Sequence, residues 1–202
     1  MAVVGRLHDL PEGPWSPGEP VVALTFDDGP GDATDAVATA LARFGVPATF
    51  FVVGSVATEE PDLLAALVTA GHTVGSHSWS HRRIDDASDR DLAEEVVRTA
   101  MMIEDATGRP APWFRPPYRK ADAPRWDAVA GPLGFHTVTW SVDPRDWEAR
   151  EPVAIATAVL DHLHPGAIVL LHDGGGERSA TVEALPLIVH GARLAGYRFV
   201  AL

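Results

Sequence analysis

The sequence predicts an α/β fold, a single domain in which a parallel sheet is covered by helices. Three observations carry that prediction. Short apolar runs rich in β-branched and aromatic residues alternate with longer, Ala-rich stretches of helical period. The strand runs are apolar along their length, as strands buried on both faces must be. Glycines stand where helices should stop, at Gly45, Gly71, Gly108 and Gly196. With 202 residues, the chain is long enough for one well-buried domain.

The first twenty residues are rich in Pro and Gly (Pro11, Gly13, Pro14, Pro17, Gly18, Pro20) and read as a lead-in segment, 1–20, without regular structure. The domain proper runs over 21–202. It opens with a strand at Val21 to Phe26 and a helix at Thr34 to Phe44. A strand at Ala48 to Val53 precedes a helix at Pro61 to Ala70, and a strand at Thr73 to Gly75 precedes one at Asp89 to Ala106. In that third helix Leu92, Val96, Thr99 and Ile103 recur three or four apart and make one buried stripe. A strand at Trp113 to Arg115 and a helix at Arg125 to Ala130 follow, then a strand at Phe135 to Trp140 and a helix at Pro152 to His162. Ala167 to Leu171, a helix at Thr181 to Ala195, and a last strand at Arg198 to Ala201 complete the alternation. Whether the sheet closes into a barrel or stays open, the catalytic groups belong at the C-terminal ends of its strands.

Composition narrows the function. Apolar residues make up 46% and charged residues 22%, as in an ordinary globular protein. The formal net charge is −12 with no Lys/Arg-rich run, which argues against nucleic acid as a partner. There are no cysteines, so disulfides, thiolate ligands and a Cys nucleophile are excluded, and His, Asp and Glu must carry any metal chemistry. The start, Met1-Ala2-Val3-Val4-Gly5-Arg6, lacks a basic region followed by an apolar core, so no signal peptide is expected in this chain. No apolar run approaches the length of a membrane span.

Ionisable clusters follow the candidate strands. They are Asp27-Asp28-Gly29-Pro30 after the first, His77-Ser78-Trp79-Ser80-His81 after the third, and Arg115-Pro116-Pro117-Tyr118 at the fourth. Asp143-Pro144-Arg145-Asp146-Trp147 follows the fifth and His172-Asp173 the sixth. Each alone reads as a turn or a surface corner. Five at the same end of five strands read as one site. Two imidazoles and a carboxylate form a three-ligand set for a divalent metal of the zinc type, supplied by His77, His81 and one of Asp27 or Asp28. The other aspartate is then a general base for an attacking water. The leaving group needs an acid, for which His172 is suited if Asp146 holds its ring. Arg115 is the fixed cation that orients the base. His8, His72, His136, His162, His164 and His190 lie outside the clusters and are expected at the surface or in packing.

These motifs, Thr-Phe-Asp-Asp-Gly-Pro, His-Ser-x-x-His, Arg-Pro-Pro-Tyr, Asp-x-x-Asp-Trp and Leu-Leu-His-Asp, in this order over Val21 to Leu202, resemble carbohydrate esterase family 4, the polysaccharide deacetylases with the NodB homology domain. The resemblance implies a distorted (β/α)7-type barrel. It makes Asp27 the catalytic base and Asp28 the metal ligand beside His77 and His81. It further implies that Arg115 tethers the base, that the Tyr118 backbone N–H donates to the oxyanion, and that His172 is the acid held by Asp146. Trp147 and Leu170 resemble the walls of the pocket for the acetyl methyl. The segment Gly174-Gly175-Gly176-Glu177-Arg178-Ser179 departs from the usual pattern by lengthening the loop after the acid.

The expected reaction is metal-dependent removal of N-acetyl groups from N-acetylglucosamine units of a glycan, in chitin oligomers or peptidoglycan, with release of acetate. O-deacetylation of acetylated xylan is the alternative. The expected cofactor is one divalent ion, Zn2+ with Co2+ as a substitute. The expected state is a monomer that binds glycan and not nucleic acid, without a membrane span, and the natural protein is expected to be secreted or in the cell envelope.

Overall fold

The computed structural model describes residues 3–10, 13, 15–16, 18–118, 120–149 and 151–202. All seven expected strands form: β1 (Val21–Gly29), β2 (Thr49–Val52), β3 (Thr73–Ser76), β4 (Trp113–Phe114), β5 (His136–Thr137), β6 (Ala167–His172) and β7 (Arg198–Phe199). Between them run α1 (Thr34–Phe44), α2 (Gly54–Ala57), α3 (Pro61–Thr69), α4 (Asp89–Thr107), α5 (Ala123–Ala130), α6 (Pro152–Asp161) and α7 (Ser179–Leu194). Only α2 lacks a counterpart in the sequence reading, because one turn of helix is too short to show a period. Gly45 and Gly108 end α1 and α4 in the left-handed conformation, at φ +58° and +67°, which a residue without Cβ adopts at little cost.

Every pairing in the sheet is parallel, in the order β5-β4-β3-β2-β1-β6, with β7 added beside β1. This is a half-barrel. The two-residue period of β1 sorts its side chains: Val22, Leu24 and Phe26 join the core under the helices, while Val21 and Ala23 join the cluster inside the curve of the sheet. Thr25 and Asp27 continue that inner row. On β6 the register Thr25↔Leu170 and Asp27↔His172 places Leu170 and His172 on the same inner face. The apolar runs thus fill two cores, and the inner row turns polar only at the strand ends.

Residues 3–10 correct the expectation of an unstructured lead-in. Leu7 is wholly buried inside the half-barrel with Val4 and Leu10, and a 3-10 turn spans Leu7–Asp9. Val4 bridges Val138 and Arg6 bridges Ala167, so this segment spans the gap between the two edge strands, β5 and β6. Farther along, Val142 bridges Val169. The Pro and Gly of residues 11–20 carry the loop signal, whereas in residues 3–10 the buried apolar side chains decide the place. Pro11, Pro14 and Pro17 lie outside the described residues. The fifth strand is shorter than Phe135 to Trp140 because Thr139 turns its N–H to Val4 O, at 2.7 Å, rather than along the sheet.

Candidate active site

The parallel register brings the C-terminal ends of β1, β2, β3, β4 and β6 to one rim, and a cavity of about 500 Å3 opens there. Asp27, Asp28, His77, His81, Tyr118, Trp147, Leu170 and His172 line it, together with Arg83, Trp140, Asp143 and Arg178. Arg115 and Asp146, fully and almost fully buried, stand behind the wall.

Asp27 and Asp28 diverge because the chain breaks from strand geometry between them. Asp27 keeps the inward direction of the β1 row and accepts a 2.8 Å hydrogen bond from Arg115 Nη1. Asp28 has φ +72°, in the left-handed region, which swings its carboxylate toward the histidine loop. Its Oδ1 lies 3.4 Å from His77 Nε2 and 3.1 Å from His81 Nε2. Burial would raise the pKa of Asp28, yet the two adjacent imidazoles hold it well below the usual carboxylate range.

The Asp28, His77 and His81 ligand atoms lie within 4.8 Å of one another, a spacing that one metal ion can bridge. His77 fits that use in its tautomer as well. Its Nδ1 donates to Arg115 O at 2.7 Å, which leaves the Nε2 lone pair facing Asp28 and His81. The residues present therefore suit a divalent ion of borderline softness.

Arg115 spans the floor of the site. Nη1 also donates to Thr25 Oγ1 at 2.7 Å and Nη2 to Thr139 O at 3.0 Å, while the guanidinium lies 4.3 Å from the Phe51 ring. Across the cavity Asp146 accepts from the His172 ring at Nδ1, 2.7 Å, and from its backbone N–H, 2.9 Å. Thr181 Oγ1, at the start of α7, donates to the same carboxylate at 2.8 Å. Burial by itself would lower the pKa of His172. The bond to Asp146 and the charges of Asp146, Asp27 and Asp28 outweigh it and leave the imidazole above its ordinary value. Its Nε2 remains for the cavity.

Tyr118 ends the β4 loop at φ +64°, its ring 4.6 Å from His81 and under the guanidinium of Arg83 at 4.5 Å. Leu170 is buried at the cavity base, whereas Trp147 stands exposed at the rim. Sequence reasoning passed over several supports. Glu95 of α4 accepts from both the N–H and the hydroxyl of Ser80, each at 2.8 Å, and so fixes the loop between the two histidines. A charged residue beside the buried stripe of α4 was the available signal for it. Thr25 and Thr181 gave none. Of the histidines set aside, His72 serves the core, accepting the Ala48 N–H at 3.1 Å.

A family model for "Polysaccharide deacetylase" matches residues 16–138. The chain belongs to the polysaccharide deacetylase family. It is 35% identical over 194 residues to the peptidoglycan-N-acetylglucosamine deacetylase PgdA of Listeria monocytogenes, an alignment that covers 96% of this chain and 40% of the Listeria protein. It is 38% identical over 168 residues to a chitooligosaccharide deacetylase of Bradyrhizobium sp., with 79% of this chain and 75% of that protein covered. Among solved structures, a peptidoglycan N-acetylglucosamine deacetylase superposes with a TM-score of 0.84 at 30% identity, covering 91% of this chain and 86% of the other. Membership in the polysaccharide deacetylase family accounts for the half-barrel, and the metal dependence of that family agrees with the Asp28, His77 and His81 cluster at the rim. Among the described residues, no helix is long and apolar enough to cross a membrane.

Proposed function

We propose that this polysaccharide deacetylase domain hydrolyses the N-acetyl group of N-acetylglucosamine units in a glycan, a chitin oligomer or peptidoglycan strand, and releases acetate. One observation carries the reading. A candidate His2Asp ligand set opens into the same cavity as a carboxylate paired with a buried arginine, Asp27, and an imidazole paired with a buried carboxylate, His172. Related proteins named for peptidoglycan and chitooligosaccharide deacetylation support the substrate class.

The metal, proposed to be zinc with cobalt able to replace it, would be held by Asp28, His77 and His81 and would acidify the attacking water and polarise the acetyl carbonyl. Asp27, fixed by Arg115, takes the proton from that water as its oxygen bonds to the carbonyl carbon. The Tyr118 backbone N–H is assigned to the developing oxyanion. His172 gives its proton to the sugar nitrogen, so that the C–N bond breaks, the neutral amine leaves, and the acetic acid formed ionises to acetate. Asp146 and Thr181 hold the imidazole in the orientation that aims Nε2 inward. Leu170 and Trp147 are assigned to the walls around the acetyl methyl, a small apolar group suited to apolar neighbours.

The decisive experiment measures acetate released from N-acetylglucosamine oligomers of increasing length, after chelation and again with zinc or cobalt restored. Metal-dependent release that rises with length supports the reading and adds further sugar subsites. Release from acetylated xylan alone would reassign the site to ester hydrolysis, and none from oligomers, peptidoglycan or xylan would overturn it.

A further inference from the structure

The loop between β6 and α7, residues 174–178, takes no part in the reaction described above. Its Arg178 lines the same cavity yet is only 8% exposed. The guanidinium donates from Nε to Gly174 O at 2.9 Å, from Nη2 to Gly175 O at 3.2 Å and from Nη1 to Glu177 O at 3.1 Å. A charge so nearly buried is costly to keep, and every one of these partners is a carbonyl of its own loop. The bonds therefore define the shape of the loop.

That shape matters where the loop meets Asp28. Gly174 lies against the Asp28 backbone carbonyl with no room for a Cβ. Gly175, at φ +69°, covers the Asp28 side chain, and a Cβ there would stand 2.6 Å from Oδ2 and 3.2 Å from the Asp28 Cβ. Asp28 is itself in left-handed backbone, a conformation that aspartate holds only when its surroundings fix it. The two glycines thus form a wall behind the carboxylate whose other oxygen faces His77 and His81.

We propose that Arg178 is a positioning residue for Asp28. By tying three loop carbonyls together it presses Gly174 and Gly175 onto Asp28 and holds the carboxylate in the direction of the two imidazoles. This inference rests on the metal-dependent reading of the site. Lysine is a poor substitute, because a single ammonium cannot span three carbonyls as the guanidinium fork does.

The test titrates zinc into metal-free protein by calorimetry and records the visible absorption of the cobalt form. It compares the parent with R178A, R178K and G175A, and with R193A as a surface control that loses only a bond to Phe44 O. Outer groups that orient a ligand typically alter metal affinity by 10–100-fold, so Kd is expected to rise at least about tenfold in R178A and G175A, with R178K between them and R193A unchanged. The cobalt bands shift in the same order. Circular dichroism of the metal-free forms shows whether each variant is folded. If R178A does not fold, R178K decides, since it keeps the charge and loses only the fork that spans the three carbonyls. A Kd within twofold of the parent and unaltered cobalt bands in the folded variants would overturn the inference alone. A parent that binds no metal would overturn the reading beneath it as well.

Discussion

Arg115 and Asp27 form a buried ion pair at 2.8 Å, in which the arginine is wholly shielded from water and the carboxylate faces the cavity. The pair joins two roles, since the same guanidinium that fixes Asp27 also bonds Thr25 on β1 and the Thr139 carbonyl just beyond β5. Asp27→Asn keeps an acceptor for Arg115 and leaves Asp28, His77 and His81 in place. Its kcat is expected to fall roughly 10²–10⁴-fold while zinc affinity stays near that of the parent. Acetate assays beside calorimetry check both halves, and a Kd that rises as far as kcat falls would mean that Asp27 holds the metal.

Both replacements remove the charge opposite the buried Arg115, but Asp27→Ala also removes the hydrogen-bond acceptor facing its Nη1, which Asp27→Asn keeps. Breaking a buried pair by removing one partner costs about 3–5 kcal/mol. Urea unfolding is expected to show that loss for Asp27→Ala and a clearly smaller one for Asp27→Asn.

In the proposed reaction the Asp146–His172 bond governs the alkaline side of the pH profile. The acid must be protonated, and its folded pKa lies above the usual histidine value, so activity persists above about pH 6.5 and declines as pH rises through the raised pKa. Asp146→Asn removes both the ring's anionic partner and its charge. The alkaline limb of kcat against pH then moves to lower pH. An unmoved limb would assign that ionisation to another group.

Asp173 lies next to His172 in the chain but faces away from the reaction. It is buried, it accepts from Thr34 Oγ1 at 2.6 Å, and burial together with the charges of Asp27 and Asp28 pushes its pKa up to about 7. A raised carboxyl pKa means that the folded protein binds this proton more tightly than the unfolded chain does. Stability from this group is therefore full at low pH and lost as pH rises from the ordinary aspartate range through about 7. Asp173→Asn, neutral at every pH, is expected to flatten that decline and to melt higher than the parent above pH 7. Melting curves of the metal-free proteins from pH 4 to 8 test it.

Leu7 ties residues 3–10 into the half-barrel. Removing residues 1–10 exposes Ala23, Ile168 and Val138 in the inner cluster and opens the gap between β5 and β6. Leu7→Ala alone is expected to cost about 2–5 kcal/mol by chemical denaturation, as for other buried leucines. A cost under 1 kcal/mol would show that the segment does not close the fold.

The chain by itself specified the strand–helix alternation and the chemistry. Apolar runs and helical periods are local patterns, and seven strands with six of the seven helices could be read from them. The clusters from Asp27 to His172 were legible because a parallel sheet sends all its strand ends to one rim. Local pattern could not separate Asp27 from Asp28, since that choice depends on a left-handed turn at one residue and on an arginine 88 positions away in sequence. Nor could it seat Leu7 under the sheet, find Glu95 behind Ser80, or bring Thr181 to Asp146, for each is a contact between distant segments. Residue types fixed what the site can do; the register of β1 against β6 and the packing of loops onto Asp28 decided which atom of which residue is placed to do it.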